Sequence, residues 1–236
     1  MKKSTSMLKC LLFTSILSTT LSAQAALITY GGQAAGDGSG LTSSFVDPSN
    51  VVDFSSGYFI ETFDAATKMT GIPPGFDAPS TAFNEPGVSA GCQVNSAGAV
   101  AITASGGDAL GVRKGSVGGV AAAPAGDTTC YGHTPAQGGA LPSWVMVDYS
   151  AILAFTPADD AINYLGFYWG SVDLYNSFEF LSGGNVVLEL TGAELLGDNN
   201  GSAGNQVEPG SNVYVNIDFT FAEQFDAFRI RSTGIA

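Results

Sequence analysis

The chain has 236 residues, of which 45% are hydrophobic and 31 are glycine. A chain of this length can bury the core of one large all-β domain, and its hydrophobic content argues against a disordered protein. Only 8 Lys and Arg residues stand against 21 Asp and Glu residues, so the formal net charge is −13. Because phosphate groups are bound by clustered Lys and Arg, this balance argues against a nucleic-acid partner and against an anionic membrane surface.

Residues 1–25 have the three parts of a cleavable export signal. Three lysines lie within residues 1–9, an apolar stretch covers 11–21, and Ala23-Gln24-Ala25 fits the small-x-small rule for cleavage after Ala25. A retained membrane anchor is the weaker alternative, because the apolar stretch is too short to cross a hydrocarbon core of about 30 Å. We therefore expect a secreted or cell-surface bacterial protein with no membrane span in its mature chain.

Removal of this signal changes both the charge and the cysteine count. Three of the 8 basic residues and none of the 21 acidic residues leave, so the net charge falls from −13 to −16. Cys10 also leaves, and Cys92 and Cys130 remain. An even number of cysteines in an exported chain predicts one disulfide. Two buried thiols are the alternative, which is less favoured because both cysteines lie among Gly, Asn, Thr and Pro.

The segment 26–143 is rich in Gly, Ala, Ser and Pro, and only short strands are predicted in it. They cover 26–30, 58–63 and 97–104. The stretch 105–143 contains ten glycines and almost no aromatic residue. Such a composition predicts a Gly-rich surface loop or insertion, fastened by the bond between Cys130 and Cys92.

From Trp144 onward the pattern becomes that of regular strands. The predicted strands cover 144–149, 152–156, 163–169, 177–181, 185–191 and 212–221, with a hairpin turn at Ser182-Gly183-Gly184. Apolar and polar residues alternate throughout 212–221, as expected of a strand with one buried face. No helical period is found beyond one turn at 158–161. We therefore predict an antiparallel, jelly-roll-like β-sandwich that forms a single domain over 26–236.

One string in this half resembles a known motif. Asn163 to Asn176 (NYLGFYWGSVDLYN) is similar to the core motif of bacterial exosortase-sorted surface proteins, the PEP-CTERM group. The similarity continues through Phe178-Glu179-Phe180, Gly183-Gly184, Leu190-Thr191-Gly192, Tyr214-Val215-Asn216 and the segment 228–234. It covers roughly the last 90 residues of the chain.

The resemblance implies a secreted β-sandwich of the cell surface or of an extracellular polysaccharide (biofilm) matrix. Members of the group are mostly without a known enzymatic activity. They typically continue past the Ser-Thr-Gly strand with a Pro-Glu-Pro motif, a hydrophobic helix and a basic cluster. The sequence given ends at Ala236, inside that strand, so an exosortase is an expected partner only if such a sorting tail follows.

Tyrosines at alternate positions suggest a carbohydrate site. Tyr164 and Tyr168 share one face of a predicted strand, and Tyr175 and Tyr214 lie in neighbouring elements. On an open face these rings would stack on the C–H surface of pyranoses, while Asp173 and Asn176 would bond sugar hydroxyls. The alternative is that the rings pack in the sandwich and satisfy their hydroxyl groups locally.

Calcium is the one cofactor for which the sequence offers ligands. Glu61 and Asp64 lie on or just after an early predicted strand, and carboxylate oxygens suit Ca²⁺. The loop 198–201 is also rich in oxygen ligands, but it lacks the spacing of an EF-hand. Solvated acidic turns are the alternative for both.

Support for catalysis is thin. His133 is the only histidine, and there is no Gly-x-Ser-x-Gly motif and no His-based zinc motif. Asp159 and Asp160 are adjacent and point apart, unlike a glycosidase pair. We therefore expect a non-catalytic surface or matrix protein, with weak carbohydrate binding as its favoured activity. The alternatives are a purely structural, calcium-stabilised surface-layer component and, less favoured, a polysaccharide hydrolase.

Overall fold

The computed structural model describes residues 25–155 and 161–234. Its strands are β1 (Leu27–Tyr30), β2 (Gln33–Ala34), β3 (Leu41–Thr42), β4 (Val52–Asp53), β5 (Met69–Thr70), β6 (Ala101–Ala104), β7 (Gly111–Lys114), β8 (Cys130–His133), β9 (Ser143–Asp148), β10 (Tyr164–Trp169), β11 (Asn176–Ser182), β12 (Asn185–Thr191), β13 (Val213–Asp218) and β14 (Ala227–Ser232). Two short α-helices, α1 (Ser150–Leu153) and α2 (Gly192–Asn199), accompany them. The predicted signal sequence up to residue 24 lies outside the described residues, as do Asp159 and Asp160.

Two antiparallel sheets form the body of the fold. One has the strand order β1-β13-β10 and the other has the order β12-β11-β14-β9-β6. Three two-stranded pairs, β2-β3, β4-β5 and β7-β8, lie outside these sheets. The prediction of an all-β, antiparallel sandwich is confirmed.

The inner faces of the two sheets are joined by aromatic rings. Phe167 of β10 lies 4.2 Å from Phe178 of β11, and Phe180 lies 5.0 Å from Phe219, measured between ring centroids. Val215 of β13 and Phe180 are completely buried between the sheets. Each large aromatic ring removes much apolar surface from water, so these rings and the aliphatic residues between them stabilise the sandwich.

The predicted strands after residue 143 agree with the structure within a few residues, with one exception. The hairpin turn between β11 and β12 is also confirmed, because Gly183 and Gly184 have φ angles of 54° and 81°, as a turn with two left-handed central residues requires. The exception is 152–156, where Ile152 instead belongs to the helix α1. This single turn begins where the Asp148 carboxylate accepts a hydrogen bond of 2.8 Å from the Ser150 N–H.

The helix α2 was not predicted, although the sequence carries a signal for it. Thr191 and Glu194 form a capping box, in which the Thr191 hydroxyl accepts from the Glu194 N–H and the Glu194 carboxylate accepts from the Thr191 N–H. Leu195 and Leu196 are buried against the sandwich core. No helix within 25–155 or 161–234 has the length and apolar character needed to cross a bilayer.

Apart from β1 and β6, the first half of the chain lies outside the two main sheets, and its sequence pattern predicts its structure less well. No strand covers 58–63, and the predicted strand 97–104 shortens to β6 because 95–98 is a 3₁₀ turn. For the Gly-rich segment 105–143 the sequence predicts a surface loop or insertion. The segment contains the hairpin β7-β8, in which Val112 and Arg113 are 0% and 4% exposed.

The disulfide prediction is confirmed. Cys92 and Cys130 are bonded, with their Cα atoms 5.7 Å apart and a separation of 38 positions in sequence. Both are buried with Val94 and Val112 in a small apolar cluster of their own. The bond therefore joins the strand β8 to the irregular segment that precedes β6.

We predict that replacing both cysteines (Cys92→Ser with Cys130→Ser) lowers the free energy of unfolding by about 4 kcal/mol, because the bond closes a 38-residue loop in the unfolded chain. Urea denaturation of the variant beside the oxidised protein measures the difference. Reduction of the unmodified protein by a thiol should give the same loss, and unchanged midpoints in both experiments would contradict the prediction.

Candidate functional site

The predicted tyrosine face is covered rather than open. Tyr214 is only 6% exposed, and the Tyr164 hydroxyl donates to the Asn216 side-chain oxygen at 2.8 Å. The Ser43 hydroxyl lies 2.8 Å from the same Tyr164 oxygen, and the Phe45 ring packs edge-on against Tyr164. The expectation of an open sugar-stacking face is therefore wrong at Tyr164 and Tyr214. Segments around β2 and β3 fold back over this side of the sheet, and no local sequence pattern indicates that.

The other four predicted ligand residues share one cleft. Tyr168, Asp173, Tyr175 and Asn176 all line a cavity of about 190 Å³ at one end of the sandwich. Further lining side chains come from β8, β10, β11 and β14 and include Tyr131, His133, Trp169, Phe178 and Ser232. The cleft thus lies between the sandwich and the layer that carries the disulfide.

The turn between β10 and β11 forms one wall of the cleft. A Cβ atom on Gly170 would lie 2.2 Å from Pro124 Cα, so only glycine permits the loop around Pro124 to cross here. The next residue, Ser171, has a φ of 50°, and its N–H donates to Asn212 Oδ1 at 3.0 Å. The same oxygen accepts from the Ala125 N–H at 2.9 Å. One buried amide therefore fixes the turn and the crossing loop to each other.

Polar side chains that line the cleft form hydrogen bonds with one another and with the crossing loop. The Tyr175 hydroxyl donates to Asp173 Oδ2 at 2.8 Å, and the Tyr168 hydroxyl donates to the Ala125 carbonyl at 2.6 Å. Burial raises the pKa of Asp173, although the bond from Tyr175 acts in the opposite direction. Asn176 Oδ1 is buried and has no hydrogen-bond partner among the described residues. Since buried polar atoms are nearly always bonded, this oxygen marks a place where a donor belongs.

A buried ionic cluster adjoins the cleft, and the sequence did not predict it. Glu85 and Arg113 form an ion pair of 2.9 Å, with both side chains 5% exposed. Glu85 also accepts from the Gln137 N–H at 2.7 Å, and His133 Nε2 lies 3.1 Å from its carboxylate. Burial lowers the pKa of His133 more than the Glu85 charge raises it, so we expect a neutral imidazole at pH 7. These residues are far apart in sequence, and no spacing rule connects them.

The proposed calcium ligands are occupied by protein donors. Glu61 accepts from the Ser96 N–H and hydroxyl at 2.8 and 2.7 Å and from Asn95 at 3.0 Å, which anchors the 3₁₀ turn at 95–98. Asp64 accepts from the Cys130 N–H at 3.3 Å. Within the described ranges no group of three or more His, Cys, Asp or Glu side chains is placed to hold a metal ion. Glu61 therefore has a structural role in the described residues, and they do not assemble a metal site around Glu61 and Asp64.

The loop 198–201, the other oxygen-rich segment, is the end of α2. Asn200 caps the helix in a left-handed conformation with a φ of 53°. The Asp198 carboxylate accepts from the Tyr30 hydroxyl at 2.9 Å. Its composition is therefore explained by helix termination and by contact with β1.

Comparison with known proteins adds no relative to this chain. A scan against protein-family models finds no match, and searches of curated proteins and of solved structures also find none. The similarity to exosortase-sorted surface proteins accordingly stays a prediction from the sequence, and the cleft is interpreted from its own chemistry.

We predict that Glu61→Ala lowers the free energy of unfolding by about 2 kcal/mol, because it leaves the buried Asn95 and Ser96 donors without their charged acceptor. Glu189→Ala, at an exposed position on β12, should change it by less than about 0.5 kcal/mol. Thermal unfolding with and without a chelator provides the matching test of calcium. We expect the same melting temperature in both, and a decrease that Ca²⁺ reverses would contradict the structural role of Glu61.

A second prediction concerns Asp173, whose pKa in the folded protein is above its ordinary value. The folded state then holds the proton more tightly than the unfolded state, so this residue's contribution to stability falls as the pH rises through the raised pKa. Asp173→Asn, which keeps an acceptor for Tyr175 without the charge, should remove that part of the decline. Unfolding free energies at pH 4 and pH 7 measure it, and parallel pH dependence in both proteins would contradict the prediction.

Proposed function

We propose that this chain is an exported, non-catalytic protein of the cell surface or extracellular polysaccharide matrix that binds a carbohydrate ring in the cleft beside Asp173. The observation that carries the proposal is that Asn176, whose buried Oδ1 has no hydrogen-bond partner among the described residues, lines the cleft together with Asp173. Sugar hydroxyls are donors of the kind that both oxygens accept.

The shape and lining of the cleft support a single sugar ring as the ligand. Its volume of about 190 Å³ lies below the 300–1,000 Å³ typical of sites for drug-sized molecules. Aromatic side chains, including Tyr131, Trp169 and Tyr175, supply apolar walls for the C–H faces of a pyranose. Asp173 Oδ2 accepts from the Tyr175 hydroxyl, and Oδ1 accepts no hydrogen bond within the described residues, so we assign to Oδ1 the bond from the ligand.

Binding is a better proposal than hydrolysis because of the carboxylate count. Asp173 is the one carboxylate among the described residues that line the cleft. Glycoside hydrolysis usually employs two carboxyl groups about 5–10 Å apart. The export part of the proposal is supported by the disulfide, since such bonds persist in oxidising compartments.

A purely structural role in a surface layer is the second candidate. The covered tyrosines favour it, since the hydroxyl group of Tyr164 is bonded within the chain. In that case the cleft would bind no sugar, and the protein would act through its stability and its surface alone.

Titration calorimetry with a set of mono- and oligosaccharides, chosen from a glycan array, tests the proposal on the mature chain. We expect weak binding that Asp173→Asn weakens about tenfold or more, because a hydrogen bond to a charged group contributes about 1.5–3 kcal/mol. Asp218→Asn makes the same charge change at an exposed position of β13 and should leave the affinity unchanged.

Two results would contradict the proposal. Absence of binding to every glycan on the array would favour the structural role. Equal loss of affinity in Asp173→Asn and Asp218→Asn would show that net charge, and not the cleft, determines the binding.

A further inference from the structure

We propose that the outer face of the five-stranded sheet is a second binding surface, which takes a glycan that carries carboxylate groups. Arg231 would bind the carboxylate and Trp144 would contact the adjoining sugar ring. This inference rests on the proposed function only for the class of ligand. The surface itself is separate from the cleft, because it lies on the side of the sheet that faces away from the core.

The register of the sheet places the relevant side chains side by side. Trp144 of β9 is opposite Arg231 of β14, which is opposite Ser177 of β11. Two pairs along, Arg229 is opposite Glu179. Directly paired residues of antiparallel strands share a face. The residues between them, including Val145, Phe178 and Ile230, pack into the apolar clusters on the inner side.

Glu179 holds the two arginines in fixed positions. Its side chain is 5% exposed, and it accepts from Arg229 Nε at 2.6 Å and from Arg231 Nη1 at 2.7 Å, with a further close contact to Arg229 Nη2. Burial would raise the pKa of Glu179, but the bonds from the two guanidinium groups outweigh it and hold the pKa below its usual value. An ionised carboxylate beneath the surface therefore orients both guanidinium groups.

The two arginines differ in what they leave for a ligand. Arg229 directs its Nε and Nη2 edge at Glu179, and its guanidinium carbon lies 5.9 Å from the centroid of the Trp144 ring. Arg231 uses only Nη1, so its Nε and Nη2 edge forms no hydrogen bond within the described residues, and its side chain is 42% exposed. This edge is the planar fork that matches a carboxylate with two parallel hydrogen bonds.

Basic side chains are rare in this chain outside the predicted signal sequence, and Arg231 is one of the few. Past residue 25 the sequence has five basic residues, and Arg113 is buried in its pair with Glu85. Two of the other four lie on this one face of a chain with net charge −13. The exposed Glu189 of the edge strand β12, paired opposite Glu179, and Asp148 at the end of β9 lie on the same face, so three carboxylates accompany the two arginines. Arg231 therefore offers a local site for one carboxylate at a time rather than a surface for a dense polyanion.

The Trp144 ring and the neighbouring hydroxyl groups favour a sugar over an acidic peptide. Trp144 is partly exposed, and Ser177 and Thr103 lie on the same face as donors and acceptors for ring hydroxyls. An indole ring beside a guanidinium group is suited to a uronic acid, which has an apolar C–H face and a carboxylate on one molecule.

Calorimetry with trigalacturonate and with its methyl ester, a neutral probe of the same ring structure, tests this inference. We expect the acid to bind and the ester to bind at least about tenfold more weakly, since the fork pairs with a charged group. Arg231→Gln should reduce binding of the acid to the level of the ester. Arg231→Lys keeps the charge without the fork, so its affinity for the acid should lie between those of the unmodified protein and Arg231→Gln. Trp144→Ala should weaken the binding of both probes.

Matched controls separate this surface from general charge and from the cleft. Lys68→Gln and Phe221→Ala remove another cation and another exposed aromatic ring, and both should bind trigalacturonate normally. Asp173→Asn should leave trigalacturonate binding unchanged, so loss of the cleft and loss of this surface are distinguishable. Circular dichroism and thermal melts establish that each variant is folded.

Three outcomes would overturn the inference. The ester could bind as tightly as the acid, or folded Arg231→Gln and Arg231→Lys could both retain full affinity. Equal competition by a tetraglutamate peptide would assign the face to acidic proteins instead of glycans.

Discussion

The aromatic layer between the two sheets is the constraint on which the other features depend. Phe178 and Phe180 of β11 pack against Phe167 and Phe219 from the opposite sheet, with centroid distances of 4.2 and 5.0 Å. Because these rings fix which side of β11 and β14 faces inward, they also fix which residues face outward. A shift of one residue in the register of β14 would bury Arg229 and Arg231 and expose Phe228 and Ile230.

The same layer determines where the cleft forms. Trp169 and Phe178 close the end of the apolar core, and the chain leaves β10 through the turn at Gly170 and Ser171 before it enters β11. Asp173, Tyr175 and Asn176 thus lie where apolar packing stops and polar groups begin to be enclosed. At such a boundary the Asp173 carboxylate and the Asn176 amide are largely shielded from bulk water, which would strengthen a hydrogen bond to the proposed ligand.

The sequence predicted the second half of the fold well and the first half poorly, and the difference is physical. In 213–219 each alternate residue is buried in one contiguous core, so a period of two is visible in the letters. In the first half, burial depends on contacts between distant segments, such as the bond between Cys92 and Cys130 and the pair formed by Glu85 and Arg113. The sequence suggests Glu61 as a metal ligand because its hydrogen-bond partners, Asn95 and Ser96, lie 34 and 35 residues away, where no local pattern connects them to it.

Part of the candidate site could be predicted from the sequence, because some of its residues lie close together in the chain and others do not. Tyr168, Asp173, Tyr175 and Asn176 are close in sequence, so a single motif contained them, and the structure places them around one cavity. Tyr164 belongs to the same motif, but its surroundings are set by Ser43 and Phe45, more than 100 residues earlier in the chain. His133, which also lines the cleft, was recognisable only as the single histidine of the sequence.

The bonds made by Asn212 have a consequence for how the cleft meets a ligand. Since one amide oxygen accepts from both Ser171 and Ala125, the two sides of the cavity cannot separate unless at least one of these bonds breaks. We therefore expect the width of the opening to change little when the proposed ligand binds. Binding would then cost little conformational entropy of the chain. The cleft would distinguish sugar rings that differ by one substituent by steric exclusion, because its walls would not adjust to the larger ring.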